Sequence, residues 1–87
     1  MYTAVLSAPF QQNLKQFCRK NPALRNKVTR VIQKLLEDPR HPSLRLHKLS
    51  GKGDWSVSLN MRIRLIFRFE GQHIFLLRIG THDEVYG

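Results

Sequence analysis

Hydrophobic and polar residues in the first part of the chain change from a strand pattern to a helical one. The stretch "YTAVLS" (residues 2–7) is rich in β-forming residues and predicts a short first strand. Ser7 then stands where an N-cap is needed, and the apolar side chains that follow recur about one helical turn apart. The pattern predicts a first helix with its apolar stripe at Phe10, Leu14, Phe17 and Cys18.

A second helix is predicted to begin at Asn21-Pro22, where a capping residue precedes a proline suited to the first helical position. The segment "EDPRHPS" (37–43) ends this helix because its two prolines prevent continuation. Two successive helices with a tight junction predict a helical hairpin. The apolar stripe of the second helix consists of Leu24, Val28, Val31, Ile32, Leu35 and Leu36.

After Pro42 the period changes from helical to alternating, which indicates strands. Four segments follow: "LRLHKL" (44–49), "DWSVSLN" (54–60), "MRIRLIFRFE" (61–70) and "HIFLLRI" (73–79). Gly71 is placed to make the hairpin turn between the last two. The order β-α-α-β-β-β-β predicts one α+β domain over residues 1–87, an antiparallel sheet with the helical hairpin on one face.

The parity of the segment 61–70 separates apolar from basic side chains. One face receives Ile63, Leu65, Phe67 and Phe69. If that face covers the helices, Arg62, Arg64 and Arg68 project together from the open face. Residues two apart on a strand lie about 6.5 Å apart, close to the phosphate spacing of single-stranded RNA. A solvated face is the alternative, but neighbouring arginines repel one another unless an anion lies between them.

The net charge of the chain indicates which classes of molecule it binds. Fifteen Lys and Arg stand against six Asp and Glu, which gives a net charge of +9. A field of this sign suits a nucleic acid or an acidic protein. No apolar run approaches the ~20 residues of a membrane span, and the single Cys18 cannot form an internal disulfide. We therefore expect a cytoplasmic protein with no membrane association.

The residue inventory points to metal-free chemistry. The chain contains no phosphate-binding glycine loop and no nucleophile elbow. Cys18 falls on the buried side of its helix, and the four histidines match no zinc signature, so we expect neither metal nor cofactor. RNA can still be cleaved by its own 2′-OH if a base, an acid and a cationic field are supplied. His82 is the best candidate proton carrier, because the closing strand leads directly into it.

Three segments resemble the RelE/ParE superfamily of bacterial toxins from toxin–antitoxin pairs. "LSGKGDWSVSLNMRIRLIFRF" (49–69) is similar to the central segment of the HigB and YoeB branches. "RIGTHDEVYG" (78–87) resembles the end of the YafQ branch, and "LHKLSG" (46–51) resembles the segment ahead of its tryptophan. The chain length, the element order and the basic charge also agree with this superfamily.

The resemblance implies a toxin that inhibits translation by cleaving mRNA in the ribosomal A site, restrained by an acidic antitoxin with which it forms a hetero-oligomer. It implies that His82 is the leading proton-transfer residue and that Arg64 stabilises the phosphate. His47 becomes a second acid/base or RNA-positioning group. The residues predicted to bind RNA are Lys48, Lys52, Arg62, Arg68, Arg78 and Tyr86.

The sequence departs from single branches at two places. Where the YafQ branch has a further histidine and aspartate after its tryptophan, this chain has Arg62 and aliphatic residues. Where the YoeB branch has a catalytic glutamate, the segment "HPSLRL" (41–46) carries no acid, so the general base is left open. The alternatives are a ParE-like toxin that binds and poisons DNA gyrase without catalysis, and an inert member of the fold that only binds antitoxin or DNA.

Overall fold

The structure is a computed structural model and describes residues 1–49 and 53–81. These residues form two α-helices, five strands and a short 3₁₀ helix. No helix within these residues is long and apolar enough to cross a membrane. The predicted order β-α-α-β-β-β-β is confirmed. The elements are β1 (Thr3–Leu6), α1 (Ala8–Lys20), α2 (Leu24–Glu37), a 3₁₀ helix (Pro42–Leu44), β2 (His47–Lys48), β3 (Asp54–Ser58), β4 (Ile63–Glu70) and β5 (His73–Thr81).

The strands form one mixed sheet in the order β1-β5-β4-β3-β2. Strands β2 to β5 pair antiparallel with their neighbours, as predicted. The N-terminal β1 lies at the edge and pairs parallel with β5, so that Thr3 is opposite His73. Parallel pairing needs a long crossover connection, and both helices lie in the chain between β1 and the rest of the sheet.

The core occupies one face of the sheet and contains buried side chains from both helices. The core residues of β3 and β4, Val57, Leu65 and Phe67, share one parity, so the two helices cover the same face of the sheet, as predicted. Phe67 is completely buried, and Trp55 and Phe69 pack against it at the edge of the core. The other core residues include Phe10, Leu24, Val28, Leu35, Val57, Leu65, Ile74, Leu76 and Ile79.

A β-bulge in β5 keeps the core continuous. Ile66 of β4 is opposite Arg78, but the next residue, Phe67, is opposite Leu76, so Leu77 is the extra residue. The bulge allows Leu76 and Ile79, three positions apart, to lie in the core together. Leu77 and Arg78 both fall between them, and neither belongs to the core.

The first residues of α1 and α2 test the two N-caps predicted from the sequence. Ser7 is the N-cap of α1, and its hydroxyl accepts a hydrogen bond of 3.1 Å from the backbone N–H of Phe10, as predicted. The expected N-cap at Asn21 is wrong. Asn21 instead ends α1, donating its N–H to Phe17 O, and α2 begins at Leu24 after an Ala23 cap that makes no side-chain bond. Only residues 21–23 separate the two helices. Asn21, which was expected to cap α2, therefore serves as the C-cap of α1.

Candidate active site

Arg64 projects from β4 on the sheet face opposite the helices and is held by two acceptors. Its Nη2 atom donates to Ser56 Oγ at 3.0 Å and to the backbone carbonyl of Arg45 at 3.2 Å. Its Nε atom is buried, and no described residue accepts a hydrogen bond from it. A guanidinium carries five N–H donors in a rigid fork that matches a phosphate. The position of this cation is therefore set by the protein.

Arg45 contributes through its backbone conformation. It follows the 3₁₀ helix with φ 51° and ψ 55°, in the left-handed region, and its N–H donates to Pro42 O. A non-glycine residue pays about 1 kcal/mol or more for this conformation. The chain turns here from the 3₁₀ helix toward β2, and the turn leaves the Arg45 carbonyl within hydrogen-bond range of Arg64.

The 3₁₀ helix has a side-chain cap of its own. His41 Nδ1 accepts the backbone N–H of Ser43 at 3.1 Å and lies 2.8 Å from the Ser43 hydroxyl. The first turn of this helix is thereby fixed, and Arg45 follows directly after its last residue, Leu44. His41 thus has a structural partner among the described residues.

His47 lies beside Arg64, with Ser56 between them. In the β2–β3 pairing His47 is opposite Ser56, and directly opposed residues project from the same face with Cβ atoms about 4.5–5.5 Å apart. His47 is exposed, whereas Ser56 is completely buried and hydrogen-bonded to Arg64. The structure therefore brings together two of the three residues that the sequence assigned to catalysis.

Arg78 shares a row with these residues across the sheet. Ile66 is opposite Ser56 on one side and Arg78 on the other. His47, Ser56, Ile66 and Arg78 thus follow one another across four strands on the face opposite the helices. Arg78 is exposed and takes part in an interaction of its own.

Of the three arginines predicted to share the open face, Arg64 and Arg68 have the same parity on β4, but Arg68 is paired with an acid and Arg62 lies before the strand. Arg68 is paired: its Nε and Nη2 donate to Asp54 Oδ1 at 2.9 and 2.7 Å across the β3–β4 pair. Arg62 precedes β4, in the loop that Asn60 organises by accepting the N–H groups of Arg62 and Ile63. Arg62 lines a cleft with residues of both helices, on the other side of the sheet from Arg64.

Lys48 also lies on the other face. It is opposite Trp55 in the β2–β3 pair, and its Nζ is 5.7 Å from the centroid of the Trp55 ring. Alternation along the two-residue strand β2 separates Lys48 from its neighbour His47. Three further candidates, Lys52, His82 and Tyr86, lie outside the described residues.

The sequence predictions missed Ser56, Asp54 and the carbonyl of Arg45. The alternation of Ser56 with Trp55 and Val57 indicates the polar side of β3, but it does not identify the partner of Ser56. Nothing in the sequence marks Arg45 as left-handed. Within residues 1–49 and 53–81, no group of three or more His, Cys, Asp or Glu side chains is placed to hold a metal ion.

No protein-family model and no curated protein sequence matches the chain. Several solved structures match the chain over nearly its whole length. YafQ from Escherichia coli BL21(DE3) matches with a TM-score of 0.83 at 20% identity, over 100% of both chains. A metal-bound toxin from Helicobacter pylori matches with 0.82 at 27% identity, over 98% of this chain and 99% of that one. A YoeB/ParE toxin from Agrobacterium tumefaciens matches with 0.80 at 18% identity, over 94% and 99%.

YafQ also matches in the E. coli DinJ–YafQ toxin–antitoxin complex, with a TM-score of 0.81 at 20% identity over 99% of this chain and 98% of that one. Each of these matches spans nearly the whole chain. This chain has the RelE/ParE toxin fold. The fold class implied by the sequence resemblance is confirmed.

On this RelE/ParE fold, the face opposite the helices is the candidate active site. It carries His47, Arg64 and Arg78, and β5 ends at Thr81, directly before His82. Lys48 and Arg62 lie on the helix side. The chemistry available on the described part of this face is a fixed guanidinium beside an exposed imidazole, which suits a phosphodiester better than a neutral substrate.

Proposed function

We propose that this protein is the toxin of a type II toxin–antitoxin system and inhibits translation by cleaving mRNA on the ribosome. The fold it shares with YafQ and the YoeB/ParE toxin supports the toxin role. The observation that carries the enzymatic part is Arg64. Its guanidinium is held by Ser56 and the Arg45 carbonyl, so its positive charge is fixed in place before a substrate binds.

The proposed reaction uses the RNA's own nucleophile. A base removes the 2′-OH proton, the oxygen attacks the adjacent phosphorus, the bond to the 5′-oxygen breaks, and an acid protonates that leaving oxygen. Arg64 stabilises the charge on the phosphoryl oxygens, because its donors are fixed before the substrate arrives. DNA lacks the 2′-OH and would not react.

Two histidines are proposed to move the protons. His82 is the leading proton-transfer residue, and the register of β5 supports this, since Gly80, two positions earlier, is opposite Arg64. His47 is the second acid/base or RNA-positioning group, because it shares a face with Arg64 across Ser56. Arg78, Lys52 and Tyr86 are proposed RNA contacts. Arg68 is paired with Asp54, and Lys48 and Arg62 lie on the other side, so these three are not assigned to the cleavage site.

An acidic antitoxin is the proposed protein partner. The net charge of +9 favours a partner of opposite sign, and the similar YafQ fold occurs in a toxin–antitoxin complex. Opposite charges steer such an association, so its rate and affinity should fall with added salt. An association constant that is the same at low and high salt would contradict this partner.

A translation assay with purified protein tests the function. Cut sites are mapped by primer extension on ribosome-bound mRNA, on free mRNA and on a DNA strand of the same sequence. We expect cleavage of ribosome-bound mRNA, and loss of that cleavage in a His82→Gln variant that folds normally. Growth arrest by folded His82→Gln equal to that of the wild type would overturn the catalytic assignment. Arrest of DNA replication with intact mRNA would instead indicate a gyrase-binding toxin.

A further inference from the structure

A second basic surface lies along helix α2. Lys27, Arg30 and Lys34 are spaced by three and four residues, so they form one stripe on the helix and are all exposed. With a rise of 1.5 Å per residue, the stripe extends about 10 Å along the helix. No acid interrupts the helix before Glu37. The stripe is therefore a row of like charges that repel one another in the free protein.

This row forms one wall of a cleft of about 390 Å³. The opposite wall comes from the 3₁₀ helix and the end of β3, through Ser43 and Ser58, and the buried Leu44 and Leu59 form the floor. Neither serine offers its proton: Ser43 Oγ lies 2.8 Å from His41 Nδ1, and Ser58 Oγ donates to Asn60 O. None of the described residues that line the cleft is acidic. The donors left for a ligand are those of the three cations.

The cleft adjoins the candidate active site. Ser58, on its wall, is the residue opposite Arg64 in the β3–β4 pair. Ser43, on the same wall, belongs to the 3₁₀ helix that Arg45 follows, and the Arg45 carbonyl binds Arg64. The cleft and Arg64 are therefore linked through neighbouring residues of β3 and of the segment that contains the 3₁₀ helix.

We propose that this cleft binds the sugar–phosphate backbone of RNA, as a second contact region beside the cleavage site. The inference rests on the proposed function, to which it adds a binding surface. An acidic protein segment is the other candidate, but protein interfaces need apolar anchors at their centre. The exposed large apolar side chains of the described residues are Met1, Leu6 and Met61, and none of them lines this cleft. A phosphodiester backbone needs only the cations.

The experiment compares two triple variants that each remove three charges. The test variant is Lys27→Gln/Arg30→Gln/Lys34→Gln. The control is Lys15→Gln/Arg19→Gln/Lys20→Gln on α1, whose cations are equally exposed. The control removes two last-turn cations, Arg19 and Lys20, and the test variant removes one, Lys34, so the loss of favourable charge at a helix end is larger in the control. Binding is measured by fluorescence anisotropy with a 12-nucleotide 2′-O-methyl RNA, which cannot be cleaved because its 2′-oxygen carries no proton.

We expect the α2 variant to lose about 100-fold in RNA affinity at 0.1 M salt. The slope of log K against log salt should fall by about 2, since each phosphate contact on a single strand contributes about 0.7. The α1 control should lose less than about fivefold. Thermal unfolding identifies any variant that fails to fold, and the single Arg30→Gln variant then replaces it, with an expected loss of about fivefold and a slope change of about 0.7.

Three results would overturn the proposal. Unchanged RNA affinity in the α2 variant would show that the cleft does not bind RNA. An equal loss in the α1 control would show that only net charge matters. Loss of binding to a 12-residue polyglutamate peptide without loss of RNA binding would assign the cleft to an acidic protein. The binding measurement does not depend on cleavage, because the RNA probe cannot be cleaved. A wild-type protein that cuts no mRNA would therefore refute the proposed function without changing the measured RNA affinities.

Discussion

Arg64 donates a 3.0 Å hydrogen bond to the hydroxyl of Ser56, which is completely buried. The bond crosses from β4 to β3, and Ser56 is in turn opposite His47 on β2. A small buried hydroxyl thus fixes a long cationic side chain next to an exposed imidazole. In a chain with a net charge of +9, this fixed position distinguishes Arg64 from cations that only contribute to the general field.

Replacing Ser56 by alanine should lower mRNA cleavage by about tenfold, because a hydrogen bond to a charged group contributes about 1.5–3 kcal/mol to holding it. The guanidinium should then occupy several orientations, so kcat should fall more than KM rises. Cleavage kinetics with purified protein measure both. Thr29→Ala is the control, since the Thr29 hydroxyl donates to the Arg25 carbonyl within α2 and not to Arg64. Equal losses in the two variants would contradict a specific role for Ser56.

Replacing Arg64 by alanine should reduce cleavage by about 10²-fold or more, the usual effect of removing one preorganised donor from a reacting centre. Arg64→Lys should rescue only a small part of this loss, because an ammonium group lacks the fork that contacts Ser56 and a phosphate together. Antitoxin binding and the thermal unfolding midpoint serve as controls and should persist. Full activity in folded Arg64→Lys would show that charge alone suffices.

Arg45 should tolerate glycine better than a branched residue. Glycine adopts φ 51° without steric cost, so Arg45→Gly should leave the free energy of unfolding unchanged or raise it by up to about 1 kcal/mol. Arg45→Val should lower it by about 1–2 kcal/mol and also reduce cleavage, because relaxing the strain moves the carbonyl that binds Arg64. Urea unfolding and cleavage assays measure the two effects. A stable, fully active Arg45→Val variant would rule out the backbone contact as a positioning element.

Breaking the Asp54–Arg68 pair should favour RNA binding at a small cost in stability. Asp54→Asn removes an acid from the sheet face and releases the Arg68 guanidinium, so RNA affinity should rise severalfold. The Arg68 side chain is 41% exposed, and such a pair contributes only about 0.2–1 kcal/mol to the free energy of unfolding. Anisotropy with the 2′-O-methyl RNA measures the affinity. The double variant Asp54→Asn/Arg68→Gln should show no gain, and a gain there would contradict the role of Arg68.

Local patterns were sufficient for the order of helices and strands and for the side of the sheet that holds the core, but the strand predicted over 44–49 is reduced to His47–Lys48 after a 3₁₀ helix that ends at Leu44. The period of the apolar residues predicted both helices and the strands, because an amphipathic element must turn its apolar side toward the interior. Ser7 was identifiable as a cap because its partner, the N–H of Phe10, lies only three residues away. The alternation of Leu65 and Phe67 with Arg64 and Arg68 separated the two faces of β4 in the same way.

The partners of the polar residues were decided by the tertiary structure. Asp54 meets Arg68 and Ser56 meets Arg64 only because β3 and β4 pair in one register, and a shift by one residue would separate both pairs. The Arg45 carbonyl reaches Arg64 across 19 positions of sequence. The sequence by itself determined which residues are polar, apolar or charged along each element. Pairing between distant segments decided which cation is neutralised and which is held ready for a ligand, because those contacts depend on register and not on local period.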